Sequence, residues 1–298
     1  MRLPLSNQTI GILHPGEMGG PVGAAVRLSG ARVVWASEGR SSDSRRRAEQ
    51  AGLEDAGSLK RLVAESSVVI SVCPPHAAQP LAIEVAALGF NGLYIDANAV
   101  SPARTAAMAA ALHQAGAGFV DGGIIGPPVQ RAGTTRIYLS GERAGEAAAC
   151  FAFGPLAAVV MTGGAGAASA LKMAYAAYTK GGTALLAAIL ALARGNGVEA
   201  DLREEWDLSH PGLADQARAS LERAAPKAWR FVSEMEEIAA AFEEVGLPGG
   251  FHRAAGKIYQ RLEGHAGASD PDASELIQEL LESGVSTPSA QRQSSAAV

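Results

Sequence analysis

Two stretches of this chain carry residues whose types and order suit chemistry. The first is Gly11-Ile-Leu-His-Pro-Gly-Glu-Met-Gly19, which overlaps a short apolar run, Thr9 to Leu13, and opens a helix. In such a turn Gly16 lets a phosphate approach the backbone and Gly19 lets the helix pack on the strand. The free N–H groups and positive dipole of the helix N-terminus favour an anion. This is how a dinucleotide pyrophosphate is cradled, and His14, Pro15, Gly16, Glu17 and Met18 are the residues brought to it. His14 breaks the fingerprint, because it stands where the first glycine of G-x-G-x-x-G belongs. The second stretch surrounds Lys172, whose neighbours Ala167, Ala168, Ala170 and Ala174 desolvate an ammonium and draw its pKa toward that of a working proton donor. A helical lysine more often reaches out to solvent. Tyr175 shares the face of Lys172 at about 100° per residue, as a second donor or as a core aromatic, whereas Tyr178 has turned away.

Residues after the second strand discriminate between cofactors. In Ser37-Glu38-Gly39-Arg40-Ser41, Glu38 suits a ribose 2′-hydroxyl, while Arg40 and Ser41 offer a planar guanidinium and a hydroxyl to a 2′-phosphate. The loop favours NADP over NAD. Asn98 either faces a ribose or closes an Asx turn before Ser101-Pro102. Histidines 14, 76, 113, 210, 252 and 265 are scattered without metal-ligand spacing, so no metal is expected. His252 reads as a surface residue at a helix start. Cys73 and Cys150 make no disulfide framework and read as small buried hydrophobes in a reducing cytoplasm.

These groups need a scaffold, and the composition supplies one. The chain has 298 residues, 48% hydrophobic and only 5% aromatic, with 35 glycines, which excludes disorder and collagen-like repetition and favours an α/β protein. A formal charge of −5 leaves no basic surplus for nucleic acid. The apolar run Thr183 to Ala193 falls short of the roughly 20 residues a membrane span needs, and Met1 to Asn7 is no signal peptide. Short apolar strands at 9–13, 31–36, 67–72, 92–95 and 118–121 alternate with helical segments, the pattern of a doubly wound parallel sheet of Rossmann type. From Gly166 the reading is helical: one long Ala-rich helix to Arg194, then 211–224, 229–245, 250–262 and 274–282. The expected organisation is a dinucleotide-binding domain over 1–163, an all-helical substrate and dimerisation domain over 164–283, and a disordered tail over 284–298.

The chain resembles the β-hydroxyacid dehydrogenase superfamily, which includes 3-hydroxyisobutyrate and 6-phosphogluconate dehydrogenases. The first-turn motif, Ser71-Val-Cys-Pro-Pro75, Asp96-Ala-Asn-Ala-Val-Ser-Pro102 and Asp121-Gly-Gly-Ile-Ile-Gly-Pro-Pro128 carry the likeness, together with Gly164-Ala-Gly-Ala-Ala-Ser-Ala-Leu-Lys172. Trp229 to Ala239 resembles a phosphogluconate-dehydrogenase-like subgroup in which NADP is the commoner cofactor. The resemblance implies that Cys73, Pro74 and Pro75 lie along the cofactor and that Gly123, Ile124, Ile125 and Gly126 meet the substrate. It makes Lys172 the general acid/base and implies a homodimer. Ile125 replaces a family serine that holds a carboxylate, Ala176 replaces an asparagine, and Glu236-Glu237 replaces a Lys-Asp pair. These exchanges turn the pocket away from the usual substrates and make Glu236 a candidate contact for a cationic one. The expected function is hydride transfer between NADP and a small carbonyl or hydroxy compound. Imine reduction and a cofactor-binding sensor without turnover are the alternatives.

Overall fold

A computed structural model describes residues 5–282; the tail expected over 284–298 lies outside the described residues. The elements of the first half are β1 (Thr9–Leu13), α1 (Gly19–Arg27), β2 (Arg32–Trp35), α2 (Ser42–Gln50), β3 (Glu54–Asp55), α3 (Leu59–Glu65), β4 (Val68–Ser71), α4 (Pro75–Ala87), β5 (Leu93–Asp96), α5 (Pro102–Gln114), β6 (Gly118–Ile125), β7 (Thr135–Ser140), α6 (Ala144–Ala149) and β8 (Leu156–Val160). Helices follow: α7 (Ala167–Ala176), a π-helical turn over Ala177–Gly181, α8 (Gly182–Gly195), α9 (Glu199–Ser209), α10 (Leu213–Ala224), α11 (Ala228–Glu244), α12 (Gly250–Gln260) and α13 (Ala273–Glu282).

All eight strands form one sheet in the order β3-β2-β1-β4-β5-β6-β7-β8. Pairing is parallel from β3 through β6, antiparallel between β6 and β7, and parallel again between β7 and β8. The order reverses between β1 and β4, so the crevice beyond their carboxyl ends is where a doubly wound sheet takes its ligand. Alternation along β1, β4, β5 and β6 buries both faces. Ile10, Ile12, Ile70 and Ile95 enter one core with Val22 and Val26 of α1, while Leu13, Val69, Tyr94 and Phe119 enter the other with Leu62, Met108 and Leu112.

The chain forms two compact units whose limits do not follow the 163/164 boundary. One contains residues up to Tyr178 together with Ser233–Arg253; the other contains Thr179–Val232 and the chain from Ala254 onward. Within the second unit α8 packs with α10 and α13 around buried Leu190, Leu221, Leu276 and Ile277. There Tyr259 donates to Lys180 O at 2.8 Å and stands edge-on to Phe231 at 5.2 Å.

Two differences from the sequence reading have clear causes. Helix α9 buries none of its residues, so it lacks the apolar stripe that reveals a helix. The length argument against membrane insertion does not hold, since Ala167–Gly195 is helical throughout its 29 residues. Its α7 part nevertheless builds Ser169 and Met173 into the first unit as buried residues.

A polar seam runs under that helix. Asp121, fully buried at mid-β6, accepts from Ser140 Oγ (3.0 Å), Gly166 N (2.9 Å) and Ser169 N (3.0 Å) on Oδ2, and from Ser169 Oγ (2.6 Å) on Oδ1. Ser140 Oγ in turn accepts from Ala168 N at 3.0 Å. Gly166, the N-cap of α7, has no side chain to satisfy the first turn, and a strand carboxylate does so instead. Asp96 is the register partner of Asp121 on β5. Burial, and then the charge of Asp121, push its carboxyl up to about 7, and its Oδ2 is buried with no partner.

This pair makes stability depend on pH. Between about 4 and 7 the folded protein keeps a proton on Asp96 that the unfolded chain has released, so stability falls as pH rises through that window. Asp96→Asn is expected to flatten the decline, gaining several degrees of melting temperature over the unmodified protein at pH 8 and much less at pH 5, at about 2–4 °C per kcal/mol. Glu237, also raised by burial, pulls in the same direction but is common to both proteins. Parallel melting curves across that pH range would refute the assignment.

Candidate active site

The turn between β1 and α1 is built around a close approach. A Cβ on Gly19 would lie 2.0 Å from His14 O, so only glycine lets the chain fold back there. A Cβ on Gly16 would meet nothing within 4 Å, leaving open space above the backbone, and no side chain caps α1. An open glycine beside an uncapped helix N-terminus, at the point where the sheet order reverses, fits a pyrophosphate.

His14 occupies this turn with φ 69°, the one positive φ outside glycine among the described residues. Arg40 Nη1 lies 2.9 Å from both of its ring nitrogens. Burial, then the charges of Arg40 and His76, lower the imidazole to about 4 and keep it neutral. Ser41, expected as a cofactor contact, is the N-cap of α2 and accepts from Ser44 N at 3.2 Å. Its hydroxyl and the first turn of α2 lie next to Arg40 in sequence, while Glu38 is exposed.

The β4–α4 loop is held from below. Asn98 is buried, its Oδ1 accepts from Cys73 N, and its Nδ2 donates to Ser71 Oγ (3.0 Å) and to Asp96 Oδ1. With its amide oxygen and nitrogen both engaged, Asn98 supports the Cys73-Pro74-Pro75 loop, and neither a ribose contact nor an Asx turn is needed to explain it. Burial pushes the Cys73 and Cys150 thiols up to about 12, so neither is a thiolate nucleophile.

Lys172 is half-buried, and its Nζ donates to Ile124 O at 2.7 Å. The paired glycines allow this. A Cβ on Gly123 would meet Ala168 O at 2.7 Å and Lys172 Cβ at 3.2 Å, so α7 lies against β6 at this point. Ile124 itself is a core side chain, and it offers the site its carbonyl rather than its hydrocarbon. Ile125 is buried as well, and Gly126 turns the chain with φ 126°. Tyr175, one turn beyond Lys172, is half-exposed.

Helix α11 places its acids differently from the expectation. Glu236 is exposed and pairs with Arg253 at 3.3 Å, so it has a surface partner rather than a buried ligand site. Its neighbour Glu237 is buried, as is Glu234. Glu237 accepts from Ser101 N (2.9 Å) and pairs with Arg104 Nη2 (2.9 Å), clasping the start of α5. His252 is buried against the Phe242 and Phe251 rings, which corrects its reading as a surface residue. Asp121, Ser140 and Ser169, which set the position of α7, were not singled out in sequence, although an acid inside an apolar parallel strand is a signal of that kind.

Residues 9–164, more than half of the chain, match the family described as the NAD binding domain of 6-phosphogluconate dehydrogenase, and residues 193–262 match a domain of unknown function. No curated protein matches the sequence. Among solved structures, a conserved protein described as structurally similar to 3-hydroxyacid dehydrogenases is 27% identical, with a TM-score of 0.65, covering 90% of this chain and 99% of that one. Mycobacterium tuberculosis 3-hydroxyisobutyrate dehydrogenase is 21% identical with a TM-score of 0.69 and coverage of 92% and 99%. An Aspergillus terreus reductive aminase in complex with NADPH is 21% identical with a TM-score of 0.55 and coverage of 91% and 98%. With a Rossmann sheet, a glycine turn open to a dinucleotide and this match over most of the sheet, the chain belongs to the β-hydroxyacid dehydrogenase superfamily of nicotinamide-dependent oxidoreductases.

Proposed function

We propose that this protein transfers hydride between NADP and a small carbonyl or hydroxy compound, with Lys172 moving the proton. The observation that carries the reading is the bond from Lys172 Nζ to Ile124 O at 2.7 Å, which aims an ammonium along the Asp121–Pro128 segment. When bound, the nicotinamide supplies or accepts the hydride. Gly16, Glu17 and Met18 hold the pyrophosphate at the α1 N-terminus, and Arg40 with Ser41 meets the 2′-phosphate. In its protonated form Lys172 can give a proton to an oxygen as it becomes an alkoxide. In the oxidative direction the amine takes the proton back. Ile125, where the family carries a serine, removes a hydroxyl donor and favours a substrate with no carboxylate at that point.

Lys172→Met keeps the stem that packs on Gly123 but removes the proton donor. Turnover is expected to fall by about 10²–10⁴-fold while NADPH affinity stays nearly unchanged, read from NADPH oxidation and fluorescence titration. Undiminished turnover on carbonyls would remove Lys172 from the chemistry. Activity confined to imines would move the assignment to C=N reduction. NADPH binding without turnover on either class would favour the sensor reading.

A homodimer accompanies this reading. In the second unit Leu185 and Leu192 of α8 and Leu208 of α9 are exposed, the last two at 65% and 81%, and α9 buries nothing. Apolar side chains presented by neighbouring helices suit a self-complementary two-fold interface. Light scattering after size exclusion is expected to give twice the chain mass, and Leu192→Glu to shift it toward the monomer. A monomeric unmodified protein would refute this.

A further inference from the structure

We infer that His14 is a positioning residue for cofactor choice, its ring face holding the Arg40 guanidinium where a 2′-phosphate is read. The inference rests on the NADP reading above and adds to it the residue that makes Arg40 effective. Three observations converge. First, His14 adopts φ 69° at a position where glycine would be unstrained, so the side chain is kept where the fold gains nothing from it. Its carbonyl is folded into the turn, accepting from Gly16 N at 2.8 Å, which leaves the ring to project from the turn and meet Arg40.

Second, Arg40 Nη1 is equidistant, at 2.9 Å, from Nδ1 and Nε2. These nitrogens flank a carbon, and an atom placed so in the ring plane would collide with it. Nη1 therefore lies over the face of the imidazole, the geometry of a cation on a π system, which requires an uncharged ring. Third, among the described residues no carboxylate pairs with Arg40. The guanidinium is held by an aromatic face that uses little of its donor fork, and the fork stays available for a bidentate phosphate contact beside the Ser41 hydroxyl. A glycine in the first turn would leave the same arginine on a loop with no such support.

The test compares 2′,5′-ADP with 5′-AMP, which differ only in the 2′-phosphate, by calorimetric titration of the full chain. The unmodified protein is expected to bind 2′,5′-ADP at least about tenfold tighter. His14→Gly, which relieves the backbone, reduces that preference about tenfold. His14→Asn, which tolerates the same backbone but has no ring face, gives the same loss. Retention of the preference in both variants overturns the inference while leaving the NADP reading in place. Equal loss of both ligands overturns it too, because that is what a distorted turn would produce. No preference in the unmodified protein overturns the NADP reading, and this inference with it.

Discussion

The buried carboxylate of Asp121 is the interaction on which the placement of the catalytic candidate depends. A carboxylate taken out of water must be fully hydrogen-bonded, and here the donors come from β7 and from the start of α7. The same bonds that make the charge tolerable fix where the helix begins. Six residues after Gly166, and one turn of helix past Ala168, comes Lys172, so the register of α7 against β6 determines where the ammonium lies. Gly123 then permits the approach and Ile124 O aims the side chain. The carboxyl of Asp96, next to Asp121 across the sheet, carries the electrostatic consequence, for two acids at one buried register are not both comfortably ionised.

The cofactor half of the site obeys a different constraint, backbone approach. Gly19 lets the chain fold over His14 O and Gly16 leaves room above the turn, whereas the residue in the first glycine position carries a ring and bears positive φ to do so. A strained residue held by its surroundings at a ligand-binding turn is a pattern associated with function. In the Asp121–Pro128 segment Ile125 places buried hydrocarbon, and on α11 the Glu237 carboxylate serves α5.

Much of the fold was legible because parallel strands are buried on both faces and read as compact apolar runs: Thr9–Leu13, Val68–Ser71 and Leu93–Asp96 all lie within the expected segments or within one residue of them. β7, α3 and α6 were not recognised although each buries residues, and the other unrecognised segments lack that signal. β3 is two exposed residues, β8 has three exposed residues of five, and α9 has no buried face. In the candidate site the glycine turn was legible from residue type and order, Lys172 was singled out on its alanine-rich surroundings, and the Asp121–Pro128 segment on the family resemblance. The roles of Asn98 and Ser41 were not legible, because a short polar side chain near a turn reads alike whether it faces a ligand, caps a helix or pairs with a neighbour, and that of Glu236 was not, because its partner Arg253 lies on another helix.

What the sequence alone determined was the α/β class and the glycine turn of the dinucleotide-binding domain. Each follows from local order: the period of burial and the spacing of glycines. Tertiary structure alone decided which polar groups are consumed by the fold and which remain for chemistry. Asp121 and Ser140 lie on different strands from the helix they cap, Glu237 is far in sequence from Ser101, and Arg40 meets His14 across two loops. Hydrogen bonds between distant segments leave no periodic trace in a chain, so only the folded arrangement shows where they form.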